Sequence, residues 1–318
     1  MSPEFDGSWS IQVVDGRFLA SGDRCQDRRA CEFVLLESAD AEDWTVIARI
    51  PARKVDALGV TWFHESGLGF LASANRRSAE RGVSLWHSMD GTSWEQIGDQ
   101  FTFERAACEP VQVDIIEFFR TAGELVALGP AGCTDSTVTG EPNLAWTSVD
   151  GRTWQATESV PVSTVLADHG TFVGRQFVAE GTIWQSDDGL IWDVAAQPGE
   201  GLALGSVSTG FVAVGTPAGD GCTVVLTSPD GKTWVERQAL DAQRAPIGQL
   251  ASDGQRAAFV ESFSDANVAW VSSPDGTDWS PYTMPAGTGE LAYGIAILGD
   301  RLVAYDYSEF MVWVGDIP

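Results

Sequence analysis

The chain has 318 residues, 45 acidic against 19 basic, for a formal net charge of −26 at pH 7. Such a field repels phosphate backbones and anionic lipid, which excludes nucleic acid and bulk membrane as partners. A hydrophobic content of 44% supplies a core and excludes disorder, and 34 Gly with 13 Trp point to many turns between short strands.

In chain order, Met1 runs straight into Ser-Pro-Glu-Phe-Asp without a charged and then apolar leader. No uncharged apolar run approaches the roughly 18 residues of a membrane-crossing helix. A motif then keeps returning. A degenerate copy, LESADAEDW, ends at Trp44, and WHSMDGTSW carries Ser88, Asp90, Gly91 and Trp94. WTSVDGRTW carries Ser148, Asp150, Gly151 and Trp154, and WQSDDGLIW carries Ser186, Asp188, Gly189 and Trp192. LTSPDGKTW carries Ser228, Asp230, Gly231 and Trp234, and the slightly shifted WVSSPDGTDW carries Ser273, Asp275, Gly276 and Trp279. Asp accepts hydrogen bonds from backbone N–H groups of its own turn, Gly supplies positive φ, Ser adds a side-chain-to-backbone bond, and Trp packs an apolar face.

The motif Trp positions recur every 38 to 60 residues, with an apolar strand, a Gly turn and a second strand ahead of each copy. Period-2 alternation with Gly-Asp punctuation reads as strands. Four short antiparallel strands per 40-odd residues are a β-propeller blade, so the expected fold is one all-β propeller of about seven four-stranded blades. The expected blades are 9–50, 55–98, 111–158, 162–197, 202–238, 247–284 and 289–315, the last completed by residues 2–6. Closure of the ring removes sheet edges.

With these copies the chain resembles the Asp-box, or bacterial neuraminidase repeat, propellers: sialidases, the sortilin lumenal domain, photosystem II assembly factors and xyloglucanases. It departs from their usual box by lacking one residue between Asp and Gly. The resemblance implies that the box is a folding device on the face away from any active site. Boxes and first-to-second turns share one face, and second-to-third loops and blade connectors share the other, which is the face expected to bind.

On that second face the cysteines suggest two pairs, Cys25–Cys31 and Cys108–Cys133, with Cys222 left over. Two such staples fit an oxidising compartment, and five reduced thiols fit a cytoplasmic one. No Cys or His spacing matches a metal site and no cofactor is expected; the many Asp leave calcium open, although no loop has a recognisable calcium-ligand spacing. His64, His87 and His169 fall on or beside the box face, which disfavours a His-based nucleophile. Eight arginines, Arg24, Arg28, Arg29, Arg53, Arg76, Arg77, Arg81 and Arg105, fall in second-face loops with Lys54. They read either as an anion site, since Arg binds carboxylates bidentately, or as a solvated network with Asp23, Asp27, Glu32, Glu80 and Glu104.

The sialidase resemblance implies three Arg around a carboxylate, an Arg-Ile-Pro motif, and a supporting Tyr and Glu. Arg49-Ile50-Pro51 matches the motif but follows the first box, and Pro161, Pro198, Pro246 and Pro285 recur at comparable places. The sequence does not assign that Tyr and Glu: Tyr293 and Glu290, near the inner strand of the seventh blade, fit the roles, and they fit ordinary packing as well. Eleven of the 13 Trp sit at box or third-strand positions, which leaves Trp9 and Trp62 for sugar stacking. The leading expectation is an exported, monomeric, non-catalytic propeller that binds a protein or glycan, an anionic ligand among them, outside the cell or at its envelope. The alternatives are a sialidase-like or lyase-like enzyme acting on acidic glycans, a scaffold for assembling a membrane complex as the photosystem-factor resemblance implies, and a cytoplasmic location.

Overall fold

Apolar alternation broken by Gly and Asp folds into short antiparallel strands in the computed structural model. It describes residues 9–14, 16–27, 30–53, 57–61, 70–76, 82–97, 102–103, 111–112, 117–129, 143–157, 159–175, 181–198, 200–216, 223–241, 250–261, 268–284, 294–306 and 311–317. Six four-stranded antiparallel sheets span residues 9–53, 57–96, 117–156, 164–196, 200–240 and 251–283, and a three-stranded sheet spans residues 294–316. We number them 1 to 7. Within each, strands pair in chain order, the meander of a propeller blade. Among the described residues no helix is long and apolar enough to cross a membrane.

Period-2 alternation decides what packs where. In sheet 3, Leu125 and Ala127 join Leu71 and Leu85 of sheet 2, while the intervening Val126 and Leu128 join Val162 and Phe172 on the sheet 4 side. The strand is therefore buried on both faces and reads as a continuous apolar run. An apolar cluster of this kind fills every step: sheets 1 and 2, 2 and 3, 3 and 4, 4 and 5, 5 and 6, and 6 and 7. Trp9, Ile11 and Phe18 of sheet 1 meet Ala296 and Val303 of sheet 7, which closes the ring. Each large side chain buried in such a step contributes about 1.5–3 kcal/mol.

The Ser-x-Asp-Gly-x-x-Trp turns fold as their chemistry dictates. In sheet 3 the Ser148 hydroxyl donates to Asp150 Oδ1 (3.0 Å), and the N–H groups of Arg152 and Thr153 donate to the same oxygen (2.8 and 2.7 Å). Trp154 Nε1–H then donates to the Gly151 carbonyl (3.2 Å). The carboxylate bonds recur around Asp90, Asp188 and Asp230, and each Trp indole bonds the Gly carbonyl of its own turn. In the degenerate first copy Ala41 holds the glycine place at φ 62, and Trp44 still donates to its carbonyl (2.8 Å).

Two expectations need correction, and one lies beyond the described residues. Six sheets have four strands, not seven; the expected seventh has three among the described residues, Gly294–Leu298, Arg301–Asp306 and Met311–Asp316. Residues 2–6 lie outside the described residues. Val111–Gln112 is not the start of blade 3: it pairs with Thr102–Phe103 in a separate two-stranded ladder, and sheet 3 opens at Glu117–Arg120.

Candidate functional site

In a meander the boxes and first-to-second turns share one side, so the ends of second and fourth strands reach the opposite side. Arg24 lies near the end of strand Arg17–Asp27, Arg53 ends strand Thr45–Arg53, and Arg76 ends strand Phe70–Arg76. The backbones of all three therefore reach the side away from the boxes. Arg24 Nη1 stands 4.0 Å from Glu32 Oε1, whose stronger partner is Arg49 at 2.7 Å. These groups are partly exposed, as in a solvated network. Arg28, Arg29, Arg77, Arg81, Arg105 and Lys54 lie outside the described residues, as do Cys108, Cys133, Cys222, His64, Trp62, Glu290 and Tyr293.

Arg49-Ile50-Pro51 sits in the outermost strand of sheet 1, with Ile50 buried in the step to sheet 2. The motif is thus a piece of blade packing. Trp9, 5% exposed, tilts against Tyr305 with ring centroids 5.1 Å apart, so it belongs to the core rather than to a stacking platform. His87 is buried beside its box, and His169, at φ 49 in a first-to-second turn, bonds the Val207 carbonyl of sheet 5 (3.1 Å). Among the described residues no group of three or more His, Cys, Asp and Glu is arranged to hold a metal ion.

What the sequence did not reveal is charge at the inner end of the strands, away from the boxes. Counting from the residue opposite the motif Ser, Leu125 in sheet 3 and Phe172 in sheet 4, three steps along the second strand reach Leu128 and Arg175. Their partners on the innermost strands are Glu117 and Thr164. Glu117, Thr164 and Arg175 therefore stand at one level of two adjacent blades whose innermost strands pack together. The same two places hold Ser10 and Ser21 in sheet 1, and Gly294 and Tyr305 in sheet 7.

Both charges are costly to enclose. Arg175 is 8% exposed, and burial lowers its guanidinium pKa. Burial pushes the Glu117 carboxyl up to about 8, against one hydrogen bond that works the other way, from the Phe118 N–H (3.3 Å). The side chain as a whole is only partly covered, so it is the enclosed carboxyl that feels the loss of water. Across the ring, Glu261 directly follows the second strand of sheet 6, Ala257–Val260, is 7% exposed, and accepts the Trp270 indole N–H (3.3 Å). A charge at the end of an apolar strand, as in IIEFFR, FVGRQ and AAFVE, is the only sequence trace of these residues.

A cavity of about 290 Å³ lies beside the last box, lined by Arg256, Ser273, Asp278, Ser280, Tyr282 and Ile317. Arg256 there is held by Asp300 of sheet 7 (3.0 Å), and the Ser273 hydroxyl donates to Asp275 (2.6 Å). Its polar groups serve the turn and the step between sheets.

No family model and no curated protein matches the chain. Among solved structures it is similar to a periplasmic gluconolactonase from Pseudomonas aeruginosa (9% identity, TM-score 0.58, 97% of this chain and 88% of that one). It is likewise similar to virginiamycin B lyase from Staphylococcus aureus (10% identity, TM-score 0.58, 98% and 95%). An α-L-arabinofuranosidase from Fusarium graminearum matches at 13% identity and TM-score 0.49, over 96% and 88%. At these identities the first two likenesses show one thing, that the chain is a β-propeller.

Proposed function

We propose that the chain is a propeller that binds an acidic, hydroxyl-rich ligand, a sugar acid or acidic saccharide, at the channel mouth away from the boxes. The observation that carries this reading is Glu117 and Arg175 at one level of adjacent blades, where sheets 1 and 7 hold uncharged residues. Enclosing a carboxyl and a guanidinium costs stability, and a ligand that uses both offsets the cost in its bound state. A guanidinium presents a donor fork matched to a carboxylate, and a protonated carboxyl both donates to and accepts from hydroxyls. The arginines at the strand ends of sheets 1 and 2 would supply steering charge on an otherwise acidic surface. With the reading go one domain over residues 1–318, a seventh blade completed by residues 2–6, a monomer, and action outside the cytoplasm.

Glu117 favours a second reading, catalysis. A carboxyl that is neutral near pH 7 is a general acid able to protonate a leaving oxygen. The fold also carries proteins named for lactone and lyase chemistry, but the enzymatic reading of this chain rests on Glu117. A thermal-shift panel of sialic acid, uronates and neutral saccharides, with chromatographic analysis of each mixture, tests both. An acidic saccharide is expected to raise the midpoint, and Arg175→Gln to abolish the rise. Turnover that Glu117→Gln removes, with binding retained, establishes the enzyme. No shift across the panel overturns the saccharide reading.

A further inference from the structure

The second and third strands of sheet 1 form an unusually long hairpin. Arg17–Asp27 and Ala30–Ser38 run 11 and 9 residues, whereas the second strands of the other sheets run four to seven. Register is continuous from Phe18↔Ser38 up to Cys25↔Cys31 and then shifts, with Asp27 opposite Ala30 at the tip. The two cysteines are thus direct cross-strand partners at the last regular rung. Directly opposed residues of an antiparallel pair have Cα atoms about 4.5–5.5 Å apart and share a face of the pleat. Disulfides span Cα separations of about 4.4–6.8 Å. The backbone register alone thus puts the two positions within the Cα range of a disulfide.

We propose that Cys25 and Cys31 are a cross-strand disulfide site that locks the tip of this hairpin. The reaction is thiol–disulfide exchange with a small disulfide such as oxidised glutathione. One cysteine thiolate attacks a glutathione sulfur, a mixed disulfide forms, and one glutathione thiolate leaves. The second cysteine thiolate then attacks the protein sulfur of the mixed disulfide and releases the other glutathione thiolate. Two protein thiols give up two electrons and two protons, and the oxidant's S–S bond takes up the electrons. Arg24, Arg28 and Arg29 lie within three residues of Cys25 or Cys31 in sequence, and neighbouring positive charge favours the thiolate that performs both attacks.

The effect of the bond is local. It closes a loop of only seven residues, 25–31, across a rung already set by strand pairing, so little unfolded-state entropy is removed. What it fixes is the tip of the hairpin, next to Arg24 and its Glu32 contact. The ligand reading of the channel mouth does not depend on it.

The sequence offers a direct test. Trypsin cuts after Arg24, Arg28, Arg29 and Arg49, so Cys25 and Cys31 fall in different peptides, 25–28 and 30–49. The full-length protein is equilibrated with oxidised and reduced glutathione, its free thiols are alkylated under denaturing conditions, and it is digested without reductant. The expected result is one species joining peptide 25–28 to peptide 30–49, short of two hydrogens and free of alkyl label, which reductant separates. Cys25→Ser and Cys31→Ser should each abolish it while keeping the wild-type thermal midpoint to within a few degrees. Both peptides recovered separately and alkylated overturn the proposal, and so does Cys25 joined to Cys108, Cys133 or Cys222.

Discussion

At the motif glycines of sheets 4 and 5 the turn rests on the blade before it. A Cβ built on Gly189 would stand 2.8 Å from Phe119 Cε2 of sheet 3, and one built on Gly231 would stand 2.6 Å from Val173 Cγ2 of sheet 4, both at positive φ. Sheet 1 carries a real Cβ at this place, Ala41, buried among residues of sheets 7 and 1. Gly231→Ala should therefore cost about 2–4 kcal/mol, from left-handed strain plus overpacking. Ala41→Gly should shift stability by less than about 1 kcal/mol, since relief of strain offsets the lost methyl contact and the greater freedom of the unfolded chain. Urea unfolding of the two variants checks this, and equal costs would refute the idea that the turn, not the residue, sets the demand. Glu117 makes the opposite case, a residue kept against stability. Its folded pKa of about 8 lies above its ordinary 4.5, so at low pH both states hold the proton and nothing is lost. As pH rises past 4.5 the unfolded chain ionises and the native state does not, so stability falls until about pH 8. Glu117→Gln should raise the thermal midpoint by several degrees at pH 7.5 and hardly at all at pH 4. A variant less stable than wild type at pH 7.5 would mean that the carboxyl has a partner worth more than its burial costs. None of this was legible in IIEFFR, because a charge at a strand end reads as solvent-facing until the neighbouring blade is in place.

The turn is the element that the sequence shows most fully, because all its bonds are made within seven residues. Asp90, Asp150, Asp188 and Asp230 each accept two N–H groups from the residues just beyond them, and these bonds hold each carboxyl below its ordinary range, Asp150 at about 2. Asp40 and Asp275 shift the same way, Asp275 chiefly through the hydroxyls of Ser273 and Thr277. For a depressed carboxylate the sign is fixed: its contribution is full above the unfolded pKa, near 4, and is lost as pH falls through the folded value. Six such groups should give a steep loss of stability between about pH 4 and pH 2. Exposure keeps each contribution small, and their number makes the sum visible. Asp150→Asn should lower the urea midpoint at pH 6 and flatten the fall below pH 4; an unchanged acid profile would show that these bonds do not survive in solution. Where bonds are not local, the sequence misled. Val111 looked like the opening of a blade because apolar and polar residues alternate from it, yet it pairs with Phe103. Arg49-Ile50-Pro51 looked like a site, yet its arginine binds Glu32 and its isoleucine packs into the step to sheet 2.

At the scale of the ring, seven apolar steps must all be made, and only one joins residues from opposite ends of the chain. Trp9 and Ile11 of the first strand pack with Ala296, Val303 and Tyr305, and the Tyr305 hydroxyl reaches the Ile11 carbonyl (3.4 Å). Arg301 adds a bond to Glu42 in the first box (2.8 Å), an exposed pair worth at most about 1 kcal/mol. Burial of Trp9 therefore dominates the closure, and Trp9→Ala should cost about 3–5 kcal/mol, as large core truncations do. A tryptophan also buried in the core, Trp146 in a step between consecutive sheets, should cost a similar amount. The two losses differ in where they are felt. Without Trp146 the ring remains closed and its neighbours hold. Without Trp9 the ring becomes an open stack, and sheet 7, which has three strands among the described residues, faces the breach with one flank uncovered. Native-state hydrogen exchange separates the two. Trp9→Ala should speed exchange in strands Trp9–Val14, Gly294–Leu298 and Arg301–Asp306 together, whereas Trp146→Ala should speed it only in sheets 2 and 3. If both variants loosen all seven sheets equally, the ring unfolds as a single unit and the closing step is no weaker than the others.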